Sequence, residues 1–147
     1  MENTNTVKLF DDAFKNVRMG SYAIDCIIDK IEDLKLVGLI NKQNEFYLEM
    51  AKKLETLAAQ NHLTPKDLNV MLKTSSYVGI NLKTLFNKNS SHITEMLIQG
   101  TTMGITTLIK EMNQGTNINT NLIELAKEIV GSQEKFVESL KDFLWKH

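Results

Sequence analysis

The decapeptide Tyr22-Ala23-Ile24-Asp25-Cys26-Ile27-Ile28-Asp29-Lys30-Ile31 has a counterpart 81 residues further along, Met103-Gly104-Ile105-Thr106-Thr107-Leu108-Ile109-Lys110-Glu111-Met112. The match is one of pattern more than of identity. Each copy is followed by a second helix-like stretch, Asn44-Glu45-Phe46-Tyr47-Leu48-Glu49 in the first half and Gln133-Glu134-Lys135-Phe136-Val137-Glu138 in the second. Two helical pairs related in this way predict a bundle built from two hairpins.

Outward from these segments, helix is the default: one proline and seven glycines interrupt 147 residues, and no alternating β pattern occurs. Val17, Ile24, Ile28, Ile31 and Lys35 mark one face of a first helix expected from about Val7 to Lys35. Leu36, Ile40, Gln43, Tyr47, Met50, Leu54 and Leu57 follow a 4,3 spacing in a second helix, from about Gly38 to Gln60. Thr64-Pro65-Lys66-Asp67 reads as a start signal. Thr64 can cap, Pro65 loses nothing at the first helical position, and Asp67 suits the positive helix end. A third helix is therefore expected from Pro65 to about Phe86, with Leu68, Met71, Ser75, Val78, Leu82 and Leu85 on one side.

A fourth helix is expected from Ser91 to about Asn113, and a fifth from Asn121 to Trp145, with Leu122, Leu125, Ile129, Phe136, Leu140 and Phe143 as its stripe. The fourth carries two apolar rows, Ile93, Leu97, Gly100, Gly104 and Thr107 against Ile98, Ile105, Ile109 and Met112. A helix apolar on two sides must be buried on both, inside the monomer or against a second copy.

Composition narrows the function classes. A 42% apolar, 24% charged chain of this length suits one globular domain, residues 1–147, with 1–6 as a frayed tail. The net charge of −1, with Lys and Glu interspersed, offers no basic surface for nucleic acid. Apolar runs are too short for a membrane span. The start lacks the pattern of a signal peptide, and Cys26 is the sole cysteine, so the chain reads as cytoplasmic.

With helices one and two as a hairpin, four and five as its repeat, and the third as a crossover, the order resembles the ferritin-like bundle. Ser91-His92-Ile93-Thr94-Glu95-Met96-Leu97-Ile98-Gln99-Gly100-Thr101-Thr102-Met103-Gly104-Ile105 also resembles a segment of small uncharacterised clostridial proteins placed near that group. The resemblance implies an all-α, up-down bundle of bacterial origin. Its metal site would require a Glu from each of two helices and Glu-x-x-His from each of the other two. No Glu-x-x-His occurs in this sequence; with Glu45 and Glu134 at the motif starts, Leu48 and Val137 take the histidine places.

Other chemistry is no better supplied. Glu45, Glu49, Glu134 and Glu138 fall opposite the apolar stripes and are expected on solvated faces, with Lys42, Lys52, Lys127 and Lys141 as partners. Asp25 sits at the edge of the first helix's core face and Glu111 on the glycine row of the fourth, and both are candidates for buried polar contacts. Cys26 is expected mid-helix, near Met19 and Tyr22 on the back of the first helix, beside Asp25 and Asp29 and with no cation to activate it. Trp145 is expected to anchor the last helix.

The sequence thus predicts no catalytic residue, no cofactor and no metal, and a bundle that acts by association with itself or another protein. A carboxylate-only metal-binding or oxidoreductase bundle is the alternative, and a helical chaperone or adaptor a further one. The interior is expected to hold Ile24, Ile28, Tyr47, Met50, Leu54, Ile105, Ile109, Ile129, Phe136 and Leu140.

Overall fold

Asn3 starts the first helix. Its side chain accepts a hydrogen bond from Thr6 N at 2.8 Å, satisfying one of the free N–H groups of the first turn. In the computed structural model, which describes residues 3–74 and 90–145, this helix, α1, spans Thr4–Ile27. The expected frayed tail is thus helical from Thr4 on, and Thr6 is fully buried. Leu9, Phe10, Ala13, Phe14, Val17, Ile24 and Ile27 form its buried stripe at helical spacing.

α1 tightens into a 3-10 turn at Ile28–Lys30, and α2 follows at Leu34–Gln60. The break falls earlier than the Lys35 to Gly38 turn read from periodicity. Asp33 decides it: its carboxylate accepts from Lys35 N at 2.9 Å and Leu36 N at 3.3 Å. Lys35, placed on the core face of helix one, is exposed at the start of α2. All seven residues of the stripe read for the second helix, Gln43 included, are buried.

α3 is Leu68–Thr74, and Asp67, not Thr64, supplies its cap, accepting from Asn69 N at 3.2 Å. Met71 is buried and the helix packs on α1. The expected continuation through Ser75, Val78, Leu82 and Leu85 lies outside the described residues. α4 spans Ser90–Gln114 and α5 Thr120–Lys141, the latter capped by Asn119, which accepts from Leu122 N at 3.1 Å. Leu125 and Phe143 are half-buried. Trp145 is 81% exposed and anchors nothing among the described residues.

The four long helices close a ring in which α1 packs on α2 and α4, and α5 packs on α4 and α2. The predicted pairing of one with two and four with five is present. Every neighbouring pair runs antiparallel: Lys8 of α1 reaches Glu111 near the end of α4, and Lys53 of α2 reaches Glu128 early in α5. α2 therefore ends where α4 ends, and α4 begins at the opposite end of the bundle.

One end is held together by side chains. Asn3 donates to the carbonyl of Asn117, Asn5 to that of Thr116 at 3.1 Å, and Asn119 N donates to Thr6 Oγ1 at 3.0 Å. Asn119 Nδ2 also donates to Asn61 Oδ1 at 3.2 Å, linking α2 to the same knot. Asn117 and His62 carry positive φ at the two helix exits, a backbone region that Asn and His tolerate better than most residues.

α4 corrects the two-row reading. Its most buried positions are Ile93, Thr94, Thr101 and Leu108, so the core line runs through two threonines that lie between the rows. Leu97 and Gly104 flank this line on one side, and Ile98 and Ile105 on the other. Ile98, Ile105 and Met112 pack partly buried against the core, as does Ile28 of the 3-10 turn, whereas Ile109, assigned to the interior, is 38% exposed. The remaining seven residues assigned to the interior, Ile24, Tyr47, Met50, Leu54, Ile129, Phe136 and Leu140, are buried.

Candidate functional site

Polar side chains from all four long helices meet inside the bundle. Asn16 of α1 and Gln133 of α5 form a reciprocal amide pair: Asn16 Nδ2 donates to Gln133 Oε1 at 3.1 Å, and Gln133 Nε2 donates to Asn16 Oδ1 at 2.7 Å. Gln133 Nε2 also donates to the Tyr47 hydroxyl of α2 at 3.2 Å. Burial pushes the Tyr47 phenol pKa up, and the hydrogen bond from Gln133, with the neighbouring Gln43 and Thr101 side chains, offsets part of the rise. Ser132 donates to Gln43 Oε1 at 3.4 Å, while Gln43 Nε2 and the Thr94 hydroxyl, both buried, have no hydrogen-bond partner among the described residues.

Two glycines make the cluster possible. A methyl group at Gly20 would lie 2.7 Å from Tyr47 Cε2, and one at Gly104 would lie 2.7 Å from Asn16 Nδ2. The ring and the amide thus occupy space that any side chain on those backbones would need. Gly104 belongs to the first of the two rows read on the fourth helix, and here it admits the Asn16 side chain close to the helix backbone, within the monomer.

A cleft of about 270 Å³ leads from the surface between α1 and α4 down to this cluster. Its walls are apolar, built from Met19, Ile24, Ile27, Met96, Leu97 and Phe136 among others. Its floor is Asn16, Tyr47, Thr101 and Gln133, and Asp12 and Lys15 also line it. Met19, read as a back-face residue, is buried in this wall. An apolar hollow with a few convergent polar groups is the usual form of a small-molecule site, and this volume sits near the lower bound of ~300 Å³ for such pockets.

The floor has a defined hydrogen-bond inventory. Gln133 uses both amide hydrogens; Asn16 keeps one N–H and one oxygen lone pair, and Gln133 Oε1 keeps one lone pair. None of these groups carries a formal charge. The floor therefore complements a neutral donor-acceptor group, such as a hydroxyl or an amide, and has no cation to hold a carboxylate or phosphate.

The residues weighed from the sequence lie elsewhere. Glu45, Glu49, Glu134 and Glu138 are exposed as expected. Glu49 pairs with Lys53 at 3.5 Å and Glu138 with Lys141 at 2.7 Å, surface contacts of small energetic weight. Leu48 is exposed and Val137 half-buried, so the histidine places of the motif do not fall on buried core positions. The buried residues near these positions are Gln43 and Tyr47 on α2 and Gln133 and Phe136 on α5. Asp25 is exposed and accepts from Asn44 Nδ2 at 3.4 Å. Glu111 is largely covered and pairs with Lys8 at 3.4 Å. Cys26 lies in the last turn of α1, not mid-helix, and its side chain pushes the neighbouring Tyr22 phenol pKa up.

Among the described residues no three of His, Cys, Asp and Glu gather as a metal site would require, and no helix is long and apolar enough to cross a membrane. Asn16 and Gln133 went unnoticed in the sequence. Gln133 could have been found from its register, four residues after Ile129 and three before Phe136 on one face. No known protein family, characterised protein or solved structure matches the chain.

Proposed function

We propose that this chain is a binding module of ferritin-like arrangement that takes a small, largely apolar molecule into the cleft between α1 and α4 and reads its polar group with the Asn16–Gln133–Tyr47–Thr101 floor. The ferritin-like part is supported by the pairing and directions of the four long helices. The binding part rests on one observation: an apolar cleft that ends on a buried, uncharged hydrogen-bond cluster. Nothing in that floor activates a nucleophile or moves a proton at neutral pH, so the reading is of binding without turnover.

Phenethyl alcohol is a suitable probe, with an aromatic body for the walls and a hydroxyl for the floor. Its addition is expected to shift the methyl NMR signals of Met19, Met96 and Met103, all of which line the cleft. Ala23→Phe, which fills the cleft from its wall, is expected to abolish the shifts while the circular dichroism spectrum is retained. Unchanged methionine signals at millimolar alcohol would refute the reading.

Association with a second copy is the other reading, and one surface favours it. Leu34 and Trp145, 83% and 81% exposed, stand at the end of the bundle where α2 begins and α5 ends. A dimer using that end is expected to dissociate on Trp145→Ala in sedimentation at micromolar concentration. A wild-type monomer there would dispose of it.

A further inference from the structure

The charges around the cleft differ in how they are compensated. Asp11 pairs with Lys66 at 3.5 Å and Glu111 with Lys8 at 3.4 Å. Asp12, which lines the cleft, has no cation within 4.0 Å among the described residues, although Lys15 lines the cleft with it. Burial raises the Asp12 carboxyl pKa and Glu111 raises it further, while Lys8 and Lys15 offset only part of the rise. An apolar cleft thus carries a half-buried carboxylate that the protein leaves short of positive charge.

We propose that Asp12 binds the ammonium group of a small primary amine whose apolar body fills the α1–α4 cleft. This rests on the cleft reading above and adds the charge of the ligand. An ammonium beside Asp12 would supply the missing cation, and a charge-assisted hydrogen bond in a partly dehydrated site is stronger than a neutral one. The methionine walls suit such a ligand, since thioethers adapt to varied apolar shapes. A ligand anion would instead lie near Asp12 and Glu111, with Lys15 the one cation that lines the cleft among the described residues and Lys8 already paired with Glu111.

The test compares three probes of one shape by calorimetry: phenethylamine, phenethyl alcohol and phenylacetate, against wild type, Asp12→Asn and Ala23→Phe. The amine is expected to bind wild type about tenfold more tightly than the alcohol, the worth of one charged hydrogen bond. Phenylacetate is expected to bind least. In Asp12→Asn the preference should vanish, amine and alcohol binding alike, and in Ala23→Phe no probe should bind. Alcohol binding as tightly as amine in wild type, or phenylacetate binding best, overturns this inference and leaves the cleft reading standing. Failure of all three probes overturns both.

Discussion

Exchange of Gln133 for leucine is expected to destabilise the fold by about 2–4 kcal/mol, although the two side chains are close in size. The amide makes three hydrogen bonds, two with Asn16 and one with Tyr47. Each is worth ~1 kcal/mol net, and stranding a buried partner costs more than the bond itself. Asn16 loses both of its bonds to Gln133 and Tyr47 loses one, so Asn16 bears most of the loss. Adding Asn16→Leu is therefore expected to cost little more than the first change, or to recover part of it, because removing both partners of a buried pair can be nearly neutral. Urea denaturation of the four proteins of this cycle gives the coupling. Additivity within ~0.5 kcal/mol would mean that the amide pair is not formed in solution.

A larger loss, about 3–5 kcal/mol, is expected for Phe10→Ala. Phe10 is almost fully buried and stacks on Phe14 with ring centroids 5.8 Å apart and planes within 9°. The substitution removes a large apolar side chain from a packed site, leaves a cavity, and ends an aromatic contact worth ~0.5–1.5 kcal/mol. Against a total stability of roughly 5–15 kcal/mol for a protein domain, this is a large share. The urea midpoint should fall with little change in slope. A loss under ~1 kcal/mol would place Phe10 outside the packed core.

Much of the fold was legible because apolar spacing carries it. The stripe of α2 could be read whole, from Leu36 to Leu57, since seven residues at 4,3 spacing leave one possible face. Helix ends were harder, because periodicity runs on through a break: Ile31 and Leu36 are both buried although a turn separates them, and only the cap at Asp33 marks it. α4 was misread for a chemical reason. Thr94 and Thr101 stand on its core line, and a polar residue at the centre of a face makes one broad face look like two rows.

The floor of the cleft was the least legible part. Its members come from four helices, and Asn16 and Gln133 are 117 residues apart, so no local pattern joins them. Gln43, already noted on the stripe of α2, was the one visible sign that the interior holds polar groups. Glu45 and Glu134 face solvent, and the buried polar residues beside them are the neutral Gln43 and Gln133.

The antiparallel ring has an electrostatic consequence. Each end of the bundle gathers two helix N-termini and two C-termini, so partial charges of roughly +0.5 and −0.5 cancel in pairs. With a net charge of −1, the molecule projects little field into solution. A ligand approaching the cleft is then neither drawn in nor turned away from a distance, and its capture rate should respond weakly to ionic strength. Discrimination between charged and neutral molecules has to be made on contact, within a few ångströms of Asp12.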